Sequence, residues 1–211
     1  MLRNRTTALA LIPLAAWLLT ACGTTPFEVT RIPQRDAEVY PASQSRQGVA
    51  VAVDAIGHKH RAKHYFGAPL TEAGVLPVNL TVSNHGDKPV RVKPGDVLLH
   101  FGSRVVDPLP VAKVAGHIRR MHGGMEPEAA RELDRYLRQT AFAARLIGPG
   151  ETYQGVMFFD LGRSEADPFR HVNVFSVFDA GGYRLEMRVT RRDSGERLAF
   201  GPFALVGLPS R

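Results

Sequence analysis

The chain has 211 residues, a formal net charge of +7 and a single cysteine. That length suits one domain of ordinary size with a real core, and one cysteine rules out both an internal disulfide and a paired-thiol redox site. The basic excess is moderate and carries no run interleaved with aromatic residues, which argues against a nucleic-acid partner and leaves anionic lipid or an acidic protein surface as the matching counterpart.

Arg3 and Arg5 open a short apolar stretch from Ala8 to Leu19, and Leu19-Thr20-Ala21-Cys22 follows. A basic start, an apolar middle and small residues before a cut are the parts of a secretory signal. The stretch falls short of the roughly 18 to 20 residues that span a bilayer. With Cys22 at its end, the pattern resembles the lipobox of a bacterial lipoprotein. That resemblance implies a signal peptide over residues 1–21, cleavage between Ala21 and Cys22, and acylation of the Cys22 sulfur, the softest nucleophile a side chain offers. The acyl chains would make the membrane a partner, at about 0.8 kcal/mol per buried methylene. Loss of Arg3 and Arg5, with no acidic residue beside them, lowers the net charge from +7 to +5. Gly23 stands where an aspartate typically holds lipoproteins at the inner membrane, so the resemblance places the protein in the cell envelope at the outer membrane, facing the periplasm.

Residues 22–47 hold Pro26, Pro33 and Pro41 among polar residues without a sustained period, the composition of a tether. From residue 48 the pattern changes. Val49, Val51 and Val53 alternate with small residues, and Val78, Leu80 and Val82 alternate with Asn79, Thr81 and Ser83. Both runs have the period of a strand. The turn Asn84-His85-Gly86-Asp87 leads into residues 89–92, and Lys93-Pro94-Gly95-Asp96 leads into Val97 to Phe101. Such residues supply the positive φ and side-chain bonds of chain reversals.

The middle of the chain has a helical period. Val111, Val114, Ala115, Ile118 and Met121 form one stripe, and Ala130, Leu133, Leu137, Ala141 and Ala144 form another across Gly123-Gly124. The spacing predicts a helical hairpin over about 111–146. Strands return at Tyr153 to Phe159, Val172 to Phe178 and Tyr183 to Val189; Asp193-Ser194-Gly195 then turns into Leu198 and Phe200, and Phe203 to Val206 adds an edge. Seven or eight short strands divided by Gly, Pro and Asp turns predict a mainly β fold over residues 48–208. The expected architecture is an immunoglobulin-like antiparallel β-sandwich with an inserted α-helical hairpin.

The run Gly74-Val75-Leu76-Pro77-Val78-Asn79-Leu80-Thr81-Val82-Ser83-Asn84-His85-Gly86, preceded by Tyr65-Phe66-Gly67, resembles a group of uncharacterised bacterial lipoproteins. Together with Gly148-Pro149-Gly150-Glu151-Thr152-Tyr153-Gln154-Gly155-Val156-Met157-Phe158-Phe159, it is also similar to the immunoglobulin-like domains of exported proteins of the DUF4352 type. The resemblance concerns strands and turns and brings no reactive group.

Catalysis has no residue set to carry it. Gly-x-Ser-x-Gly, Ser-x-x-Lys, His-Glu-x-x-His and phosphate-binding glycine loops are all missing, and Asp160, Glu165, Asp167 and Asp179 are scattered through turns. No enzyme and no cofactor are expected. The sharpest chemical cluster is His58-Lys59-His60-Arg61-Ala62-Lys63-His64. On a strand His58 and His60 share a face, and His64 could close a zinc or copper site from the next turn. Lys59, Arg61 and Lys63 oppose a cation there. Arg131, Arg135 and Arg138 on the second helix offer a docking face for an acidic envelope protein. The expected function is a lipid-anchored, non-catalytic interaction module. The alternative is a periplasmic metal-binding protein built on His58, His60 and His64.

Overall fold

The computed structural model describes residues 29–161 and 182–205. In chain order its elements are β1 Ser43–Arg46, β2 Val49–Ala55, α1 Lys59–Phe66, β3 Val75–Asn84, β4 Val90–Val92, β5 Val97–Phe101, β6 Arg104–Val106, α2 Val111–Met121, α3 Pro127–Thr140, β7 Arg145–Ile147, β8 Thr152–Asp160, β9 Tyr183–Arg191 and β10 Arg197–Ala204. The signal and lipobox residues, the expected strand Val172 to Phe178, the carboxylates Glu165, Asp167 and Asp179, and Val206 lie outside the described residues.

Two antiparallel sheets face one another. The first has the order β1-β2-β3-β8; the second runs β6-β5-β9-β4-β7, with β10 paired to β9. β9 alternates buried Tyr183, Leu185, Met187 and Val189 with exposed Arg184, Glu186 and Arg188, so its outer face is wet as its sequence predicts. Val49, Val51 and Val53 of β2, Val78, Leu80 and Val82 of β3, and Met157 and Phe159 of β8 meet Val97, Leu99, Leu185 and Met187 in a common core. Full burial of each such side chain contributes about 1.5–3 kcal/mol.

The helical hairpin forms within the expected span, over 111–140, and lies on the outer face of the first sheet. Val114 and Ile118 of α2 and Leu133 and Leu137 of α3 pack with Val156 and Phe158, the β8 residues that alternate with Met157 and Phe159. Arg119 of α2 donates to Asp134 of α3 at 2.6 Å and ties the hairpin together. β3 is therefore buried along its whole length, because both faces of its sheet are covered.

Four local departures from the sequence reading have physical causes. Lys59–Phe66 is a helix, not a strand: His58 caps its start through Nδ1, Gly67 ends it at φ 72°, and Ala62 and Phe66 bury the same face one turn apart. α3 stops at Thr140, and Arg145 lies on β7, because the Phe142 amide donates to Val156 O at 2.9 Å and draws the chain into the sheet. β4 follows the Asn84 turn but belongs to the second sheet, pairing with β7 and β9. Residues 29–46, read as the end of a tether, are packed: Val29 and Ile32 join the helical core, Ala37 is fully buried against Ala50 and Ala52, and β1 pairs with β2. Short irregular segments carry no period, so composition alone reads them as linker.

Candidate metal centre

The histidine run does not assemble a site. His58 caps α1, and His60 and His64 sit one turn apart on its exposed side. The rings of His58 and His60 lie 5.2 Å apart at a tilt of 31°, and the His64 ring rests on Tyr65 at 5.0 Å. Two of the three interleaved cations form ion pairs. Lys59 pairs with Glu72 at 3.6 Å, and Arg61 clamps both oxygens of Asp54 at 3.1 and 2.7 Å. His117 and His122 do not face each other either; His117 meets Arg120, and His122 meets the carbonyl of Gly67.

Among the described residues, the side chains whose donor atoms converge are Asp36, Glu38 and His85, with one ligand atom from each within 4.8 Å of the others. They come from two loops that the fold holds together. The first loop is the 3-10 turn Ala37–Val39, capped by Asp36, whose Oδ1 accepts from the Glu38 amide at 2.9 Å. It is pinned to β3 where the buried Ala37 amide donates to Ser83 Oγ at 2.9 Å. The second is the turn after β3. Asn84, only 1% exposed, fixes it by donating from Nδ2 to the carbonyls of Lys88 and Ile147 and accepting from the Gly86 amide. His85 then donates its backbone N–H to Gly48 O at 2.7 Å. Gly48 sits at φ +77° with Gly86 pressed against it, so the close approach of the two turns excludes a side chain there.

Asp36 is held as the carboxylate, the form in which it could ligate a metal ion. His85 Nε2 lies 3.3 Å from Asp36 Oδ2, about the spacing that two ligands adopt when bound tetrahedrally to one zinc at 2.0–2.1 Å. Burial raises the Asp36 pKa, but the Glu38 amide, the Ser83 hydroxyl and the His85 charge together outweigh it and hold the carboxyl below its ordinary range. Ser45 Oγ donates to Glu38 Oε1 at 2.7 Å, the kind of supporting bond that orients a ligand carboxylate. Two carboxylates and an imidazole form a donor set that would suit zinc.

Sequence reasoning missed this set because its members are far apart in the chain and Asp36 and Glu38 fall in a stretch read as linker. The predicted docking residues Arg131, Arg135 and Arg138 do form one exposed stripe of α3. Arg131 also donates to Pro127 O at 3.2 Å within its own helix. Ala21 and Cys22 lie outside the described residues, and no helix among those described is long and apolar enough to cross a membrane.

No protein-family model and no curated protein matches the sequence. Solved structures similar at low identity include the following three. The ycdA protein of Bacillus subtilis subsp. subtilis str. 168, "a putative lipoprotein", shares 16% identity over 75% of this chain at a TM-score of 0.35. The chain spans 37% of that protein's length. The yjhA protein of Bacillus subtilis shares 9% identity, with 75% of this chain and 94% of that one covered, at a TM-score of 0.39. A FixG-related protein from Vibrio parahaemolyticus shares 9% over 74% and 95% of the two chains at 0.34. Likeness at this level carries no argument about function.

Proposed function

We propose that this protein is a non-catalytic, lipid-anchored envelope module that binds a divalent metal ion, zinc first, through Asp36, Glu38 and His85. The convergence of the three donor atoms within 4.8 Å carries the reading. It replaces the His58, His60 and His64 set as the binding site. Acylation at Cys22 and an outer-membrane location rest on the lipobox resemblance. The immunoglobulin-like reading of the sandwich is supported by two runs of pairing, β2-β3-β8 and β10-β9-β4, which follow the A-B-E and G-F-C order of that architecture.

Calorimetric titration of the protein with zinc tests the reading. One ion per chain should bind, Asp36→Asn and His85→Ala should each weaken it by at least about tenfold, and a His58→Ala/His60→Ala/His64→Ala variant should bind as the parent does. Absence of binding at micromolar zinc, or loss of binding only in the triple-histidine variant, would sink it.

A further inference from the structure

The outer face of the first sheet is polar at its centre, under a cover of chain. β3 places Asn79, Thr81 and Ser83 there, and the register sets Gln154 of β8 beside Thr81 and Val156 beside Asn79. Ser83 is satisfied by the Ala37 amide and the Thr152 hydroxyl, each at 2.9 Å. Its neighbours are not. Asn79 is 1% exposed, and neither its amide nitrogen nor its oxygen has a hydrogen-bond partner within the protein; Thr81 Oγ1 and Gln154 Oε1 are buried in the same condition. Buried polar side chains nearly always find partners, so a cluster without them is unusual in a folded domain.

Asn79 and Gln154 open into a cavity of about 200 Å³ between the sheet, the N-terminal segment and α3, lined also by Arg31, Ile32, Tyr136 and Gln139. The walls are fixed while the floor is left free. Gln34 Nε2 donates to Thr152 O at 2.7 Å, the Thr30 amide donates to His64 O at 3.1 Å, and the Tyr136 hydroxyl donates to Thr30 O at 3.3 Å. Such a volume lies below the roughly 300–1,000 Å³ of sites for drug-sized ligands, which leaves room for one small ring.

We propose that this cavity binds a small neutral solute bearing hydroxyl groups on adjacent carbons, a monosaccharide unit, through Asn79 and Gln154. The floor presents two carbonyl-type acceptors and one amide donor. A carboxylate or phosphate could pair with Arg31 at the wall but brings only acceptors to the floor, where it would face Asn79 Oδ1 and Gln154 Oε1 with like partial charge; a simple cation faces Arg31 and leaves Asn79 Nδ2 unanswered. Each hydroxyl both donates and accepts, so an adjacent pair can engage both atoms of the Asn79 amide while a third donates to Gln154. Turning the Asn79 amide over exchanges its atoms and leaves the same pair on the floor. Ile32 and Val156 supply apolar contacts for ring carbons, and Arg31 and Gln139 supply donors near the ring oxygens.

The test is ligand-detected NMR and calorimetry with glucose, galactose and N-acetylglucosamine at millimolar concentration, with acetate and acetamide as contrasting probes. At least one sugar should bind saturably, and Asn79→Leu and Gln154→Leu should each weaken it by about tenfold or more. Asn79→Leu should also raise the thermal midpoint, because it replaces an unpartnered buried amide with an apolar side chain of the same shape. The Asp36→Asn variant should bind sugar unchanged, which separates this site from the metal centre. Failure of all three sugars, preference for acetate or acetamide, or undiminished sugar binding in folded Gln154→Leu would overturn the proposal.

Discussion

Gly155 and Phe142 meet backbone to backbone: a Cβ on residue 155 would stand 2.6 Å from Phe142 Cα and 2.9 Å from its nitrogen. This contact lets the chain leaving α3 lie against β8, where the Phe142 amide reaches Val156 O at 2.9 Å and the Tyr153 hydroxyl accepts from the Ala143 amide at 2.7 Å. Gly155→Ala must push the two backbones apart. We expect a loss of about 1–3 kcal/mol, in the range of overpacked cores. Urea unfolding measures it; a midpoint equal to that of the parent would refute the contact.

Asn84 holds the second loop of the metal centre with three side-chain hydrogen bonds. Asn84→Ala strands two carbonyls and an amide, of which the Ile147 carbonyl bond is buried. About 2–3 kcal/mol of stability should be lost, and zinc affinity should fall with it because His85 rides on the same turn. Asn84→Asp tests the two donated bonds apart from the accepted one. It keeps the acceptor for Gly86 but removes both donors, so it should remain well below the parent in stability.

Phe66 of α1 and Phe158 of β8 meet edge to face, with ring centroids 5.4 Å apart at 70°. Each is essentially buried. Truncation of either to alanine should cost about 3–5 kcal/mol. The double variant should cost less than the two losses added, by about 0.5–1.5 kcal/mol, which is the coupling of the rings themselves. Strict additivity in a double-mutant cycle would show that α1 and the sheet are stabilised independently.

Burial pushes the Tyr136 phenol up, against a hydrogen bond from Thr140 and the charge of Arg31 that pull it down. Its folded pKa therefore lies above the unfolded value of 10.0. The preference of the fold for the neutral phenol is fully present below pH 10 and disappears as pH rises through the raised folded value. Tyr183 shifts the same way, with burial as the first cause and Arg104 opposing it. Stability should thus fall on the alkaline side, and Tyr136→Phe should flatten that fall. An unchanged alkaline slope in the variant would rule out this contribution.

Arg131, Arg135 and Arg138 lie on the exposed side of α3, so reversal of all three to glutamate should change stability by no more than about 1 kcal/mol. If this stripe docks an acidic envelope protein, in-cell crosslinking of the parent should capture that protein and the reversed variant should not. Capture at the parental level would remove the stripe from consideration.

The sheets were legible wherever one face carried a clear period. Tyr183 to Val189 reads as a half-exposed strand and is one, because its alternation reflects one dry and one wet side. The hairpin of α2 and α3 was equally visible in the spacing of Val114, Ile118, Leu133 and Leu137. α1 was not, since only Ala62 and Phe66 bury a face and its other residues are polar on every side. The metal centre could not be read locally: Asp36 and His85 become neighbours only after Ser83 and Gly48 have drawn two loops together. The unpartnered floor of Asn79 and Gln154 was invisible for a related reason. A polar residue alternating along a strand usually signals water, and here the N-terminal segment covers it.

If Cys22 is acylated as proposed, that cover also limits how far the folded part can stray from the membrane. Val29 and Ile32 are already part of the core, and the Thr30 amide is tied to His64. With Cys22 acylated, the stretch between anchor and fold is no more than residues 23–28, and at about 3.3–3.6 Å per residue the leash reaches some 25 Å even when drawn straight. An anchored copy would thus patrol a thin shell beside its own membrane and would not sweep the space beyond. A target held farther out would have to come to it.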